Sequence, residues 1–194
     1  VCAAGDDAIT VRAVNPTAFE PVIRRAERAG TVLVPFDNVL DTDKVVQINE
    51  SQLALGTLKA ETVMDILGGE ADKILMVNGL PGNATDRDRR LGMMSVLENV
   101  DGLEIVEVVG NWDTGTSQKV VADALATHGE FDAVVSQHGS AGSINAMQAA
   151  GHPIVPMGVD GENGVRMLMD ELDIPGVSAS QAPAMSAVAL EAAV

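Results

Sequence analysis

Short apolar runs rich in valine and isoleucine alternate with segments of helical spacing along most of this chain, and that alternation limits the possible folds more than any single motif. The runs are AITVRAV (8–14), TVLVPF (31–36), KILMVN (73–78), LEIVEVVG (103–110), FDAVVSQ (131–137), PIVPMGV (153–159) and GVSAS (176–180). Between them lie PTAFEPVIRRAERAG, ESQLALGTLKAETVMDILGG, DRDRRLGMMSVLENV, GTSQKVVADALATHG, SAGSINAMQAAG and ENGVRMLMDEL, several closing on glycine as a helix C-terminus does. Near-continuous apolar strands joined through single helices belong to parallel sheets covered on both faces. From Lys73 onward the strand starts follow one another at 20 to 30 residues, one strand and helix each. The expected fold is α/β, with parallel sheets flanked by helices.

The core of such a fold must here be aliphatic. Aromatic residues make up 2% of the 194, with one tryptophan and no tyrosine. Hydrophobic residues at 46% suffice for one substantial core or two small ones. A formal net charge of -16 repels phosphate backbones and anionic bilayers, so no nucleic acid partner is expected. The single cysteine, Cys2, allows no intrachain disulfide and no zinc cluster, and reads as an ordinary helix-end residue rather than a lipid-bearing one. There is no run of about 18 apolar residues, and VCAAGDDAIT lacks the basic-then-apolar order of a signal peptide.

In open parallel sheets, ligands bind outside the carboxyl ends of the strands, where the strand order switches. Those positions carry Asp37 and Asn38, then the segment from Asn78 to Arg89, then Trp112 and Asp113, Gln137 and His138, Asp160, and Gln181. Nearly every strand end thus holds a planar or charged hydrogen-bonding group, whereas the amino ends (Ala8, Thr31, Lys73, Pro153) share no theme. A sugar or polyol suits that set: its C–H face stacks on an indole, and its hydroxyls donate to carboxylates and accept from arginine and amides. Charged hydrogen bonds contribute about 1.5 to 3 kcal/mol each, so Asp37, Asp160 and Arg89 would dominate an affinity of about -8 kcal/mol.

Each residue also has a plainer explanation. Trp112 can cap a hydrophobic cluster, Asp113 or Thr114 can be a helix N-cap, and Asp160 before Gly161 can be a turn residue. Arg89 and Arg90 lie in DRDRR, ordinarily a solvated helix face from which one arginine can turn inward. Gln181 can be a surface amide, and His138 divides between ligand contact and loop packing. His128 suits a helix C-terminus, and His152, in AGHP, a surface turn. The three histidines lack metal-ligand spacing, so no metal or other cofactor is implied. Catalysis finds no support either. QHGSAGS has His138 where a nucleophile elbow needs glycine, and neither a dinucleotide fingerprint nor a P-loop is present.

Taken in order, PFDN (35–38), GLPGNATDRDRRLGM (79–93), NWD, the Gly-Val-Asp-Gly of 158–161 and the Ser-Gln of 180–181 resemble the periplasmic sugar-binding proteins of ABC importers, ribose-binding type. The resemblance implies a two-lobed receptor that closes on a sugar like a hinged trap and then engages a membrane permease. It implies a periplasmic or otherwise extracytoplasmic location and a monomer. Arg89, Trp112, Asp160 and Gln181 match the family's arginine, stacking aromatic, aspartate and glutamine, and Asp37 its first-lobe hydroxyl acceptor. Asn38 stands where ribose binders have arginine, and His138 with Gly139 where they have asparagine and aspartate, so a sugar other than ribose is expected.

The family begins with two further strand and helix units and ends with another crossing, so the chain reads as an internal fragment. The expected organisation is a partial first lobe over 1–48, a second lobe over 49–180 with a hinge near 48–52, and a return to the first lobe over 181–194. Two-stranded sheets are marginal alone, so exposed apolar surface is expected on the first lobe. The competing reading is the effector-binding core of a LacI-type regulator, which shares the fold and the sugar site. A sugar- or nucleotide-modifying enzyme on a Rossmann-like sheet ranks below both.

Overall fold

A computed structural model describes residues 5–194, leaving Cys2 outside the described residues. Two compact units emerge among the described residues: one comprises residues 5–51, 82–85 and 181–194, the other residues 52–81 and 86–180. The fold is α/β, with every strand pairing parallel.

The first unit holds β1 (Ala8–Val11), α1 (Glu20–Ala29), β2 (Val32–Pro35) and α7 (Met185–Ala192), with β1 and β2 forming a two-stranded sheet. Successive side chains of a strand face opposite ways. Leu33 accordingly joins Ile23 and Ala26 of α1, while Val34 joins Ala189 of α7. Gly30, at φ 69°, ends α1 in the left-handed conformation that glycine adopts without strain. All four β1 residues are half-buried and Val32 is 48% exposed, so this small sheet leaves apolar surface uncovered.

The second unit is a five-stranded sheet in the order β4-β3-β5-β6-β7. Its strands are β3 (Lys73–Asn78), β4 (Glu104–Val109), β5 (Ala133–Ser136), β6 (Met157–Val159) and β7 (Gly176–Ser178). Its helices are α2 (Gln52–Ile66), α3 (Ala84–Leu97), whose first two residues belong to the other unit, α4 (Thr114–His128), α5 (Ser140–Ala150) and α6 (Asn163–Glu171). Ile74 and Met76 of β3 pack with Val63 of α2 and Met93 of α3 on one face. Leu75 and Val77 pack with Val121 of α4 and Ile144 of α5 on the other. Covered on both sides, β3 is buried over its last five residues, which is why it reads as an uninterrupted apolar run.

Several strands are shorter than their apolar runs. PIVPMGV pairs only from Met157, because Pro153 and Pro156 bring no N–H to a ladder; Pro156 contributes its carbonyl, which accepts from Val134 N–H at 3.1 Å. His152 is not a free surface turn. It is half-buried, and its Nε2 accepts from Phe131 N–H at 2.9 Å, tying the loops before β5 and β6 together. Helices also approach one another through glycine. A Cβ on Gly56 of α2 would lie 2.1 Å from the Arg89 carbonyl oxygen of α3, and one on Gly92 of α3 would lie 2.1 Å from that of Leu53.

Candidate functional site

The chain passes from β3 outward to β4 and then returns to the opposite side of β3 as β5, so the strand order switches between β3 and β5. The carboxyl ends of those two strands are where an open α/β sheet accommodates a ligand. Gln137, immediately after β5, is 1% exposed and links the groups around it. Its Nε2 donates to Asp86 Oδ1 at 2.9 Å, and its Oε1 accepts from the Trp112 indole at 3.2 Å. Asp86 Oδ1 also accepts from Gly79 N–H at 2.7 Å. Trp112 is half-buried against Gly79, where a Cβ would sit 2.0 Å from the indole nitrogen. The lone tryptophan is therefore pinned by its N–H edge at a loop because Gln137 and Gly79 form a seat for it there.

Arg89 turns inward, as the DRDRR run allows for one arginine. It is 8% exposed and donates from Nε to Gln52 at 2.8 Å and from Nη1 to the Gln137 carbonyl at 3.3 Å. Arg90 faces outward in a two-pronged ion pair with Glu107, both contacts at 2.6 Å, which holds the Glu107 carboxyl below its ordinary range. Asp160, after β6, is buried and pairs with His138 Nδ1, while His138 Nε2 faces Glu162 at 3.2 Å. With a carboxylate facing each nitrogen, the charged form of the imidazole is favoured; the hydrogen bond to Asp160, more than any other influence, raises its pKa above the ordinary value. The three residues bring ligand-type atoms within 4.8 Å of one another, but both ring nitrogens face carboxylates, which describes a charge clamp better than an open metal pocket. Asp113 proves to be the N-cap of α4, accepting from Thr116 N–H at 2.7 Å.

In the first unit, Asp37 follows β2 and is 5% exposed. Its carboxylate takes Gln181 Nε2 at 2.5 Å on one oxygen and pairs with Arg12 through the other. Asn38 is buried, and its amide oxygen accepts from Thr85 Oγ1 at 2.5 Å, which anchors the start of α3. Asn83 caps the same turn through Thr85 N–H at 2.8 Å.

Each unit thus gathers its own share of the expected residues: Asp37, Asn38 and Gln181 in one, Arg89, Trp112, His138 and Asp160 in the other. Backbone strain marks the same places. Among the described residues, four other than glycine have positive φ, and three of them are Asp37 (66°), Asn111 (54°) and Trp112 (56°). Such conformations cost about 1 to 3 kcal/mol each and collect at functional sites.

Sequence reasoning missed Arg12, Lys59, Asp86 and Glu162 and noted Gln137 without assigning it a role. Lys59 sits mid-helix among apolar residues, and only its spacing onto the buried face of α2 could have exposed it. It is 2% exposed and donates to the Ser136 carbonyl at 2.9 Å.

The whole chain, residues 1–194, matches the family model described as periplasmic binding protein domain. It is 23% identical over 193 residues to the ribose import binding protein of Bacillus subtilis strain 168, covering 97% of this chain and 62% of that protein. It is 22% identical over 161 residues to the D-allose-binding periplasmic protein of Escherichia coli K12, covering 76% and 52%. The chain therefore spans less than two thirds of these relatives. Among solved structures, an ABC transporter solute binding protein from Thermobispora bispora superposes with a TM-score of 0.88 at 28% identity, over 96% of this chain and 59% of that one. The periplasmic binding protein component of the arabinose ABC transporter from Shewanella sp. ANA-3, bound to L-arabinofuranose, does so with a TM-score of 0.88 at 23% identity, over 99% and 67%. With the fold and a family match over residues 1–194 in agreement, the chain belongs to the periplasmic binding protein domain family.

Proposed function

We propose that this chain forms the ligand-binding part of an extracytoplasmic solute receptor, which takes a monosaccharide or polyol and delivers it to the membrane permease of an ABC importer. The observation that carries the reading is the buried, oppositely charged pair of hydrogen-bonding groups, Arg89 and Asp160, at the carboxyl end of one sheet together with a half-buried indole. Arg89 donates to ligand oxygens, Asp160 accepts from hydroxyls, and Trp112 offers ring surface to C–H groups. His138 supports Asp160 or reaches the ligand itself. Within the first unit, Asp37 offers an acceptor, and Gln181 and the Asn38 amide nitrogen offer donors, for the same class of ligand. Relatives named for ribose, allose and arabinofuranose support the substrate class. The chain crosses between its compact units at 51–52, 81–82, 85–86 and 180–181, and the first and last of these are the proposed hinges.

The test is a thermal-shift panel of pentoses, hexoses and polyols on the intact protein, followed by calorimetry and by emission from the single tryptophan. A saturable shift with micromolar affinity for one of them supports the proposal. Silence across the panel, with turnover of a sugar phosphate or binding of an operator DNA instead, would replace it with the enzyme or regulator reading.

A further inference from the structure

Lys59 lies where α2 crosses β6. A Cβ on Gly158 would come 2.8 Å from both the Lys59 Cβ and the Lys59 carbonyl oxygen, so glycine in the strand lets the helix settle close and seals the lysine stem inside. The ammonium then reaches the Ser136 carbonyl at 2.9 Å, at the last residue of β5. The next carbonyl, that of Gln137, accepts from Arg89 Nη1 at 3.3 Å. Two consecutive carbonyls at the end of β5 are thus each held by a buried cation, one from α2 and one from α3, and the chain continues directly into His138. An ammonium has three protons to donate, and Ser136 is its acceptor among the described residues. Placing two cations beside one another in the interior is a poor way to stabilise a fold, since an apolar side chain of the same length would fill the space without a buried charge.

We propose that Lys59 is a positioning residue of the ligand site, which fixes the β5 carboxyl end beneath Gln137 and His138 and couples ligand binding at Arg89 and Asp160 to release of its own proton. The inference rests on the reading of those two residues as ligand contacts. Three influences act on the ammonium: burial, which is the largest, and Arg89 from α3 both drive the proton off, while Asp160 after β6 retains it. Together they bring the group to about 7, where both forms are populated. Ligand hydroxyls that donate to Asp160 spread its charge and weaken the one influence that retains the proton, while the water they displace leaves the repulsion from Arg89 less screened. The ammonium becomes a neutral amine that still donates to Ser136, and its proton passes to solvent. His138, whose pKa Asp160 and Glu162 raise, is the other group whose proton could respond, so the two are separated by substituting Lys59.

The experiment is calorimetry at pH 7, in two buffers of different ionisation enthalpy, with a sugar that shifts the melting of the wild-type protein. The wild type is expected to release a fraction of a proton, up to roughly one half. K59M is expected to bind at least about fivefold more weakly and to release none. Affinity of K59M within twofold of wild type, or release that survives in K59M, would each overturn the assignment. If no sugar binds the wild type, it is the receptor reading that fails, and Lys59 is judged on the free protein. The Lys59 Nζ resonance should then titrate near pH 7, and an ammonium that keeps its proton to about 10 refutes the coupling role.

Discussion

Replacing Lys59 by methionine should make the protein more stable near neutral pH and should remove that advantage in alkali. The lysine pKa falls from an ordinary 10.5 to about 7 on folding. At about 1.4 kcal/mol per pH unit, the folded state disfavours the charged form by about 5 kcal/mol. The unfolded chain binds more protons between these values, so the destabilisation is fully present below pH 7 and fades as pH rises toward 10.5. It amounts to roughly 4 to 5 kcal/mol at pH 6 to 7 and about 2 kcal/mol at pH 9. Methionine conserves the length and volume but leaves the Ser136 carbonyl without its donor, a loss of about 1 to 3 kcal/mol. K59M should therefore exceed wild type by about 2 kcal/mol at pH 6.5 and come level with it, or fall slightly below, at pH 9. Urea unfolding of both proteins across that range measures the difference directly, and other titrating groups cancel in the subtraction. A variant less stable than wild type at pH 6.5, or a difference that does not change with pH, would refute the argument that Lys59 is a costly buried charge.

Other outcomes follow from the same contacts. Arg89→Ala should weaken sugar binding by more than about tenfold in calorimetry, since a charged hydrogen bond is worth about 1.5 to 3 kcal/mol; unchanged affinity would remove Arg89 from the site. Gly79→Ala places a Cβ 2.0 Å from the indole nitrogen, so tryptophan emission should shift to the red and ligand response should fall while the far-ultraviolet dichroism stays. Asp113→Ala removes only the α4 cap, and should lower the melting temperature without changing sugar affinity. His138 has a raised pKa, so its clamp stabilises the fold fully below the unfolded value of 6.5 and loses that contribution as pH rises through the folded value; H138Q should flatten this part of the stability profile.

The alternation of apolar runs and helical segments made the α/β class readable, because strands covered on both faces have no polar side to show. Strand ends were readable for the same reason: polar groups such as Asp160 and Asp37 stand out where an apolar run stops. What a run cannot show is how far a ladder extends, and Pro156 cuts β6 to three residues inside a run of seven. Side-chain partners were equally hidden. Gln137 looks like one more strand-end amide in sequence, yet it receives the indole and donates to Asp86, and those partners lie 25 and 51 positions away. Lys59 was invisible for a related reason. Its acceptor is 77 positions along the chain, and its burial depends on the absence of a side chain at Gly158.

Apart from the left-handed Asp173 before β7, the residues that oppose stability in the second unit gather at one end of its sheet. The left-handed Asn111 and Trp112 follow β4, the buried Arg89 reaches the Gln137 carbonyl after β5, and Lys59 reaches the carbonyl before it. The opposite end of β3 shows ordinary economies: Lys73 donates to the His128 carbonyl at 2.7 Å, and Asp132 accepts from the Asp72 and Lys73 N–H groups at 2.8 Å each. A fold selected for stability alone has no reason to place strain and fully buried cations at one end of its sheet and half-exposed, well-partnered charges at the other. A site that must hold donors and acceptors rigid and partly dehydrated before a ligand arrives does have such a reason, because preorganised groups lose less on binding than mobile ones. Relieving one of these costs, as K59M does, should therefore raise stability and lower affinity together, and a substitution that raised both would separate the strain from the function.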